Sequence, residues 1–276
     1  MKLRLHIIYI VAILLSACST KLVIKSKQNS IVSVSASPDS LITSMIEPYK
    51  IGIDSVMNEV LCFSSIEMTK KKQQDQYTIY PQTLIGNFVT DLCLEMYDSI
   101  ADICIMNNGG LRSTLPYGNI TKGDIYKLMP FDNELVIIEL NLLEIFELSK
   151  YIIDRSGEPF SGFIISIPNY DKDEIQISFH GNPYYYISSD SIYSAVNFCS
   201  GPDHGTHIDQ VDQFGKWRIL TSDYLANGGD RMSFFNNKEQ HKVGEKVRNV
   251  IINYCKNNKI INSKIDNRLM FNIHGE

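Results

Sequence analysis

IMNNGGLRSTLPYGNITKGDIYKLMPFDN, residues Ile105–Asn133, is the stretch from which the fold and the site of this 276-residue sequence are predicted. Gly109 and Gly110 let the backbone approach a ligand closely, because neither carries a Cβ. Arg112 presents a planar fork of donors that suits phosphate or vicinal hydroxyl groups. Phe131 follows in a Pro-Phe-Asp-Asn turn. The alternative is a tight turn whose Arg pairs with a surface carboxylate, since short Gly motifs recur by chance.

A second stretch, TSDYLANGGD at 221–230, repeats this arrangement after another predicted strand. It again combines an aromatic residue, a Gly pair (Gly228–Gly229) and a polar end group. Two aromatic rings, Phe131 and Tyr224, can sandwich a planar ring, and Asp230 can accept hydrogen bonds from sugar hydroxyls. The two stretches together indicate a ligand with a ring, a sugar and an anionic group.

Hydrophobic periodicity predicts an α+β fold, because long amphipathic helices stand between runs of several strands. Thr83 and Asn141 are predicted N-caps, and Thr121 with Asp124 resembles a capping box. The predicted helices are Thr83–Asp98, Thr121–Met129, Asn141–Ser156 and Glu239–Asn257. The predicted strands are Asp102–Met106, Glu134–Leu140, Gly162–Ile167, Glu174–Phe179, Ile192–Val196 and Lys216–Thr221.

The first residues resemble the signal peptide of a bacterial lipoprotein. Lys2 and Arg4 form a short basic region, and Ile7–Leu15 is an apolar run that is too short to span a bilayer. The run ends in Leu-Ser-Ala-Cys, which resembles a lipobox and implies cleavage before Cys18 and lipid attachment to it. The alternative is an ordinary secretory signal that has a Cys at this place by chance.

This interpretation divides the chain into a lipoprotein signal peptide at 1–17, a tether at 18–40 and one folded domain at 41–276. It predicts a location in the cell envelope, with the chain lipid-anchored to a bacterial membrane, on the periplasmic face or at the cell surface. Without the two basic residues of the signal peptide, 24 of the 26 remain against 31 acidic ones, a net charge of about −7. Such a surface argues against a nucleic-acid polymer as partner, since binding to many phosphates needs a basic face.

Besides Cys18, the chain has five cysteines and no CxxC pair. Cys93 and Cys104 lie in apolar segments, so they are predicted to be small buried residues. One disulfide is compatible with the predicted location, but sequence spacing does not assign its partners. The five cysteines are Cys62, Cys93, Cys104, Cys199 and Cys255.

Five motifs together resemble the C-terminal, substrate-binding domain of the 5′-nucleotidase family, which includes bacterial UDP-sugar hydrolases and ecto-5′-nucleotidase. They occur in family order, and several motifs at family spacing are far more specific than any one of them. The resemblance implies a single α+β domain in which helices pack on a mixed β-sheet. The motifs are GNFVTD at 86–91, ADICIMNNGGLR at 101–112, GNITKGDIYKLMPFDN at 118–133, SGF at 161–163 and TSDYLANGGD at 221–230.

The resemblance also implies roles for individual residues. Phe131 and Tyr224 match the two aromatics that stack on the base, with Tyr standing where Phe is usual. Asp230 matches the acidic residue that binds the ribose, whereas Arg112 and Asn107 match contacts to the phosphate or sugar and to the base. Taken alone, Phe131 reads as a core aromatic and Asp230 as a turn residue. The predicted substrate-binding residues are Asn107, Gly109, Gly110, Arg112, Phe131, Asn133, Tyr224, Gly228, Gly229 and Asp230.

Two features depart from the family pattern. The family usually has one or two Arg upstream of the GN motif, whereas this chain reads QYTIYPQT at Gln76–Thr83. Lys70–Lys72 can replace them only if their loop folds back, so phosphate binding is predicted to be weaker or altered. The second departure is the long segment Asn197–Gly215, to which the sequence assigns no role.

The complete enzymes of this family hydrolyse phosphate esters in a separate domain that carries a two-metal site with DxH, GD and GNH[DE] motifs. None of the six His of this sequence lies in such a motif. The prediction is therefore no catalytic residue, metal ligand or cofactor in this chain, with divalent metals only in the catalytic domain. A loop at Asp203–Asp209 holds two His and two Asp, which is the pattern of a local Zn²⁺ site. A polar exposed loop is the favoured interpretation of it.

The leading hypothesis is a lipid-anchored nucleotide- or nucleoside-binding half of a 5′-nucleotidase-type phosphoesterase, which acts with a separate metallophosphoesterase chain. The second hypothesis is a lipoprotein that binds nucleosides or nucleotides without any hydrolytic role. The absence of the upstream Arg favours the second one, since a nucleoside has no phosphate to bind. A phosphatase that acts alone through Asp203–Asp209 is the third.

Overall fold

A computed structural model describes residues 37–74, 78–167, 175–179, 184–188, 191–195, 206–207, 215–269 and 271–272. The helices are α1 Ser40–Met57, α2 Leu84–Met96, α3 Lys122–Leu128, α4 Leu142–Asp154, α5 Asp223–Ala226 and α6 Val247–Asn257. The first strands are β1 Val60–Ser64, β2 Lys72–Gln74, β3 Thr78–Thr83, β4 Ile103–Ile105, β5 Gly118–Thr121, β6 Glu134–Leu140, β7 Phe160–Ser161 and β8 Phe163–Ser166. The others are β9 Ile175–Phe179, β10 Tyr184–Ser188, β11 Ser191–Ala195, β12 Thr206–His207, β13 Trp217–Ser222, β14 His241–Lys246, β15 Ile260–Ile261 and β16 Phe271–Asn272.

A five-stranded mixed sheet separates two apolar cores. Its strand order is β14-β6-β13-β4-β7, and β13 is parallel to β4 but antiparallel to β6. On β6, Leu135 and Ile137 join one core, whereas Val136 and Ile138 join the other. Helices α2, α3 and α6 contribute to the first core, and α4 contributes to the second. Both faces of the sheet are covered, which confirms the predicted α+β fold with helices packed on a mixed sheet.

Three smaller sheets complete the described part of the chain, with the strand orders β15-β1-β5, β12-β11-β10-β9-β8 and β16-β3-β2. In the first of these sheets, β1, which contains Cys62, is parallel to β15, and Phe63 pairs with Ile260. This arrangement brings the segment after α6 alongside β1.

Hydrogen bonds at the helix starts confirm the predicted caps. Thr83 Oγ1 accepts a backbone N–H from the first turn of α2 at 3.0 Å. Thr121 with Asp124, and Asn141 with Glu144, form capping boxes in which each side chain accepts the partner's backbone N–H. These local signals fix where α2, α3 and α4 begin, so the loops before and after them have defined positions.

The prediction of one helix over Glu239–Asn257 is wrong in its first half. His241–Lys246 forms β14, which pairs with β6 at the edge of the large sheet, and the helix begins only at Val247. Gly244 has a φ of +84°, a conformation that suits Gly and not a helix interior. Backbone pairing with β6 thus overrides the helix propensity of the Lys and Glu residues.

Helix α1 begins where the predicted tether ends. It includes the point between Glu47 and Pro48 at which the chain divides into two units, and none of its residues is buried. In the residues that the structure describes, no helix combines the length and the apolar character that crossing a membrane requires. The assignment of 1–17 and 18–40 to a signal peptide and a tether remains a prediction.

Candidate functional site

Three chain segments meet at one edge of the large sheet. Because β4 and β13 are parallel neighbours, their carboxyl ends lie at the same edge. Asn107 follows β4 and Tyr224 follows β13, while the turn with Phe131 leads into β6, which pairs antiparallel with β13. They surround a cavity of about 310 Å³, called the site cavity below. The described residues that line it are Asn107, Gly109, Gly110, Arg112, Phe131, Asn133, Tyr224 and Asp230.

Two aromatic side chains in the site cavity keep much of their surface in water. Phe131 is 40% exposed and Tyr224 is 45% exposed. A flat ligand that covers such rings removes apolar area from water and adds ring stacking. The Arg112 guanidinium carbon lies 5.9 Å from the centroid of the Phe131 ring, so a cation stands beside one stacking surface.

Asp230 is held in place by three hydrogen bonds from side chains. Asn107 Nδ2 donates to Asp230 Oδ2 at 2.5 Å, and the Tyr224 hydroxyl donates to Asp230 Oδ1 at 3.1 Å. The Tyr151 hydroxyl donates to the backbone carbonyl oxygen of Asp230 at 3.0 Å. Asp230 has a φ of +51° and Arg231 one of +71°, which non-glycine residues rarely adopt. The surroundings therefore impose this conformation on Asp230.

The glycines of the two motifs make room for neighbouring side chains. A Cβ at Gly229 would lie 2.5 Å from both the ring and the backbone oxygen of Tyr224, and one at Gly110 would lie 2.7 Å from Asn107 Oδ1. Gly228 adopts a φ of +81°. Gly228 lies against the Asn236 side chain and Gly229 against the Tyr224 ring. Neither is among the described residues that line the site cavity, so the structure does not bring them to it as the sequence predicted.

Arg248 positions the turn with Phe131, although no motif in the sequence marks it. Its Nη1 donates to the carbonyl oxygens of Met129 and Phe131 at 3.3 and 3.4 Å, and its Nη2 pairs with Asp132. The guanidinium carbon lies 4.3 Å from the centroid of the Tyr126 ring. Arg248 is only 8% exposed. The sequence predicted that this helix begins at Glu239, whereas it begins at Val247. The predicted helix gave no reason to place Arg248 near the turn with Phe131.

A buried carboxylate, Glu158, supports the Asn107 side of the cavity. Its Oε2 accepts the backbone N–H of Asn108 at 2.6 Å, and its Oε1 accepts Arg155 Nε at 2.5 Å. The Arg155 guanidinium lies over the Tyr151 ring. Burial, and then the charge of Glu158, raise the pKa of Tyr151 to about 12. Tyr151 therefore keeps its proton at neutral pH and donates to Asp230. No local pattern in the sequence marks Glu158.

The Lys-rich loop folds back, but not into the site cavity. Lys72 Nζ donates to the carbonyl oxygen of Ser156, and burial lowers the pKa of Lys72. Of the described residues that line the cavity, Arg112 is the only Lys or Arg. The site thus offers one positive charge, and Asp230 offers one negative charge whose oxygens already accept hydrogen bonds.

The predicted metal loop lies largely outside the described residues. Of Asp203–Asp209, only Thr206–His207 is described, as a backbone strand. Elsewhere in the described ranges, no group of three or more His, Cys, Asp or Glu could hold a metal ion. Most of Asn197–Gly215 also lies outside the residues that the structure describes.

The fold and the site cavity define an α+β domain whose cavity is lined by two exposed aromatic rings, a fixed carboxylate and one cation. The family model for the 5′-nucleotidase C-terminal domain matches residues 66–237, and the chain belongs to this family. The match includes all the described residues that line the site cavity.

Relatives and solved structures agree with this assignment. An apyrase of Tabanus yao is 31% identical over 62% of this chain and 31% of its own length. A 5′-nucleotidase of Homo sapiens is 21% identical over 90% of this chain and 43% of its own length. The crystal structure of a 5′-nucleotidase precursor from Thermus thermophilus superposes with a TM-score of 0.56 at 18% identity, over 84% of this chain and 43% of that one. The chain thus spans less than half the length of each of these relatives.

Proposed function

We propose that this chain is the nucleotide- or nucleoside-binding half of a 5′-nucleotidase-type phosphoesterase. The observation that carries the proposal is the convergence of two exposed aromatic rings, one fixed carboxylate and one cation at a single cavity in a domain of this family. Neither Phe131 nor Tyr224 belongs to the two apolar cores, and Asp230 has a left-handed backbone that non-glycine residues rarely adopt. A ligand that contacts these residues would account for both features.

In the proposed complex the base lies between the Phe131 and Tyr224 rings. By analogy with base–aromatic stacking elsewhere, each ring contributes roughly 1–3 kcal/mol. Asp230 accepts from the ribose hydroxyls through its remaining lone pairs, since a carboxylate has about four acceptor sites and two are in use. Arg112 binds the phosphate, and Asn107 and Asn133 contact the base or sugar with their amides.

The hydrolytic step is assigned to a separate metallophosphoesterase chain. In such a domain two divalent metals would clamp the attacking water and the leaving oxygen. The residues of this chain would bind and orient the base, sugar and phosphate at the edge of that site. A lipid on Cys18 would keep the chain at a bacterial membrane in the cell envelope, where extracellular or periplasmic nucleotides are met.

Phosphate release tests the division of labour. The substrate is AMP, whose hydrolysis releases inorganic phosphate, and the samples are the full chain, a metallophosphoesterase domain with bound metal, and the two together. We expect the full chain alone to release no phosphate above background, and the mixture to exceed the metallophosphoesterase alone at least several-fold. Phosphate release by the purified full chain alone, lost on chelation, would refute the split and favour a metal site in the loop at 203–209.

The second candidate function is binding without hydrolysis. The observation that favours it is the single cation among the described residues that line the site cavity. A charge-assisted contact from Arg112 to phosphate is worth about 1.5–3 kcal/mol. A preference of AMP over adenosine therefore supports the first function, and equal binding of the two supports a nucleoside-binding lipoprotein.

The Tyr224 hydroxyl gives a finer prediction. Tyr224→Phe keeps the ring but removes the hydrogen bond to Asp230, which is worth about 0.5–1.5 kcal/mol. We expect the Kd for adenosine to rise about 2- to 10-fold, measured by calorimetry. Tyr117→Phe, at a 68% exposed Tyr that does not line the cavity, is the matched control and should leave the Kd unchanged. An unchanged Kd for Tyr224→Phe would show that this hydroxyl does not position the ring for binding.

A further inference from the structure

The four described cysteines form two neighbouring pairs in the same apolar core. The thiols of Cys62 and Cys255 lie close enough for each to shift the pKa of the other, and after burial the neighbouring Cys93 thiol raises the pKa of Cys104. All four residues belong to the core that α2, α3 and α6 share. All four thiols are free in the structure, and the fold shows which of them are neighbours, which sequence spacing left open.

Cys62 and Cys255 meet because of the way the chain returns to β1. Phe63, next to Cys62, donates its backbone N–H to the carbonyl oxygen of Lys259 at 3.0 Å. Lys259 lies just beyond the end of α6, and Cys255 lies in the last turn of that helix, which packs against β1. The pairing of β1 with β15 therefore holds the two thiols together.

The two pairs differ in access to solvent. Cys62 keeps 6% of its surface exposed, whereas Cys255, Cys93 and Cys104 keep none. The neighbouring Cys255 lowers the pKa of Cys62, whereas the neighbouring Cys62, and then burial, raise the pKa of Cys255. Burial raises the pKa of Cys104. Because it alone of the four keeps exposed surface, Cys62 is the thiol that an external disulfide reaches, and its thiolate is the nucleophile in exchange.

We propose that Cys62 and Cys255 are a disulfide-forming pair, closed in the folded chain by exchange with an external disulfide. The Cys62 thiolate attacks one sulfur of that disulfide, and a first external thiol leaves. Cys255 then loses its proton and attacks Cys62 Sγ, and the second external thiol leaves. Two protein thiols become one disulfide, and the external disulfide takes up the two electrons and the two protons as two thiols. Cys93 and Cys104 stay reduced in the folded chain, because neither sulfur meets the oxidant.

The bond would fasten α6 to β1 across most of the folded chain. Cross-links that close long loops restrict the unfolded state most. Helix α6 also carries Arg248, whose hydrogen bonds hold the Phe131 turn. The disulfide would therefore stabilise the element that positions one stacking ring, whatever ligand the site cavity binds.

Peptide mapping of the oxidised full chain tests the pair. The chain is folded with all thiols reduced, exchanged into oxidised glutathione, denatured, alkylated and digested without reductant. We expect one linked species that joins the peptides of Cys62 and Cys255, with Cys93 and Cys104 alkylated. We also expect oxidation to raise the Tm by roughly 5–15 °C, reversed by dithiothreitol.

Matched variants separate this pair from the others. Cys62→Ala and Cys255→Ala should each abolish the linked species and the redox dependence of the Tm, whereas Cys93→Ala and Cys199→Ser should retain both. A lasting glutathione adduct on Cys62, a fully reduced chain, or a link between Cys62 and any other cysteine would overturn the proposal. If an Ala variant does not fold, the peptide map of the chain with all its cysteines is sufficient to test the proposal. None of these outcomes depends on nucleotide binding.

Discussion

Phe131→Ala should weaken the binding of adenosine and of AMP by a similar factor, about 5- to 150-fold. The factor corresponds to the roughly 1–3 kcal/mol that one base–aromatic stack contributes. The Phe131 ring is 40% exposed, so its removal should cost little folding stability, and the loss should be specific to binding. Equal factors for the two ligands are expected because the ring contacts the base, which they share.

Calorimetry measures the two affinities, and thermal unfolding checks the fold. Tyr117→Ala serves as the control, because it also removes an exposed aromatic ring but lies outside the lining of the site cavity. It should leave both affinities unchanged. If Phe131→Ala binds adenosine as tightly as the unmodified chain does, the stacking arrangement is wrong, even if the ligand class is right.

Arg268→Met should destabilise the fold by about 3–5 kcal/mol, the largest stability effect that we expect from a single substitution. Arg268 is 8% exposed and donates to Asp91 at 2.7 and 2.9 Å, to Asp266 at 2.7 and 2.8 Å, and to the Phe160 carbonyl oxygen at 2.6 Å. Removing the guanidinium leaves two carboxylates and a carbonyl oxygen without their donor. The Tm should fall by roughly 6–20 °C.

The pH dependence of this difference has a defined sign. Burial alone would raise the pKa of Asp266, but hydrogen bonds from Arg268 and its charge hold that pKa below its usual value. A lowered acid pKa contributes stability that is complete above the unfolded-state value of about 3.9 and is lost as the pH falls through the folded-state value. The gap in stability between the two proteins should therefore be full at neutral pH and shrink below about pH 4.

Lys242→Met is the matched control for Arg268→Met. Lys242 pairs with Glu134 at 3.1 Å, but its side chain is 73% exposed, and exposed pairs contribute about 0–1 kcal/mol. Urea unfolding at pH 7 compares the two variants. If both variants lose the same small amount, the Arg268 cluster does not hold the chain segment after α6 onto α2.

Local signals in the sequence predicted the parts of the fold that local physics decides. The caps at Thr83, Thr121 and Asn141 and the apolar run of β6 all lie where they were predicted. β14 was missed because its strand state depends on pairing with β6, a partner distant in sequence, while its Lys and Glu residues favour a helix. Tertiary pairing of this kind leaves no mark in a short window.

The site was predicted in part, for a similar reason. Family motifs named all eight described residues that line the cavity, since those motifs record ligand contacts. Arg248 and Glu158 do not line the cavity but hold its walls, through hydrogen bonds with the Phe131 carbonyl oxygen and the Asn108 backbone N–H. Sequence motifs do not predict such contacts. Gly228 and Gly229 were predicted to bind the substrate, but the structure places them outside the described lining of the cavity, with Gly229 against the Tyr224 ring.

The central claim is that the site cavity binds a nucleoside or nucleotide through its base and sugar. Calorimetric titration of the full chain with adenosine, AMP and UDP-glucose, up to millimolar concentration, tests it most directly. We predict saturable binding of at least one of the three, lost or strongly weakened in Phe131→Ala and retained in Tyr117→Ala. Absence of binding by all three at millimolar concentration would contradict the assignment of the site.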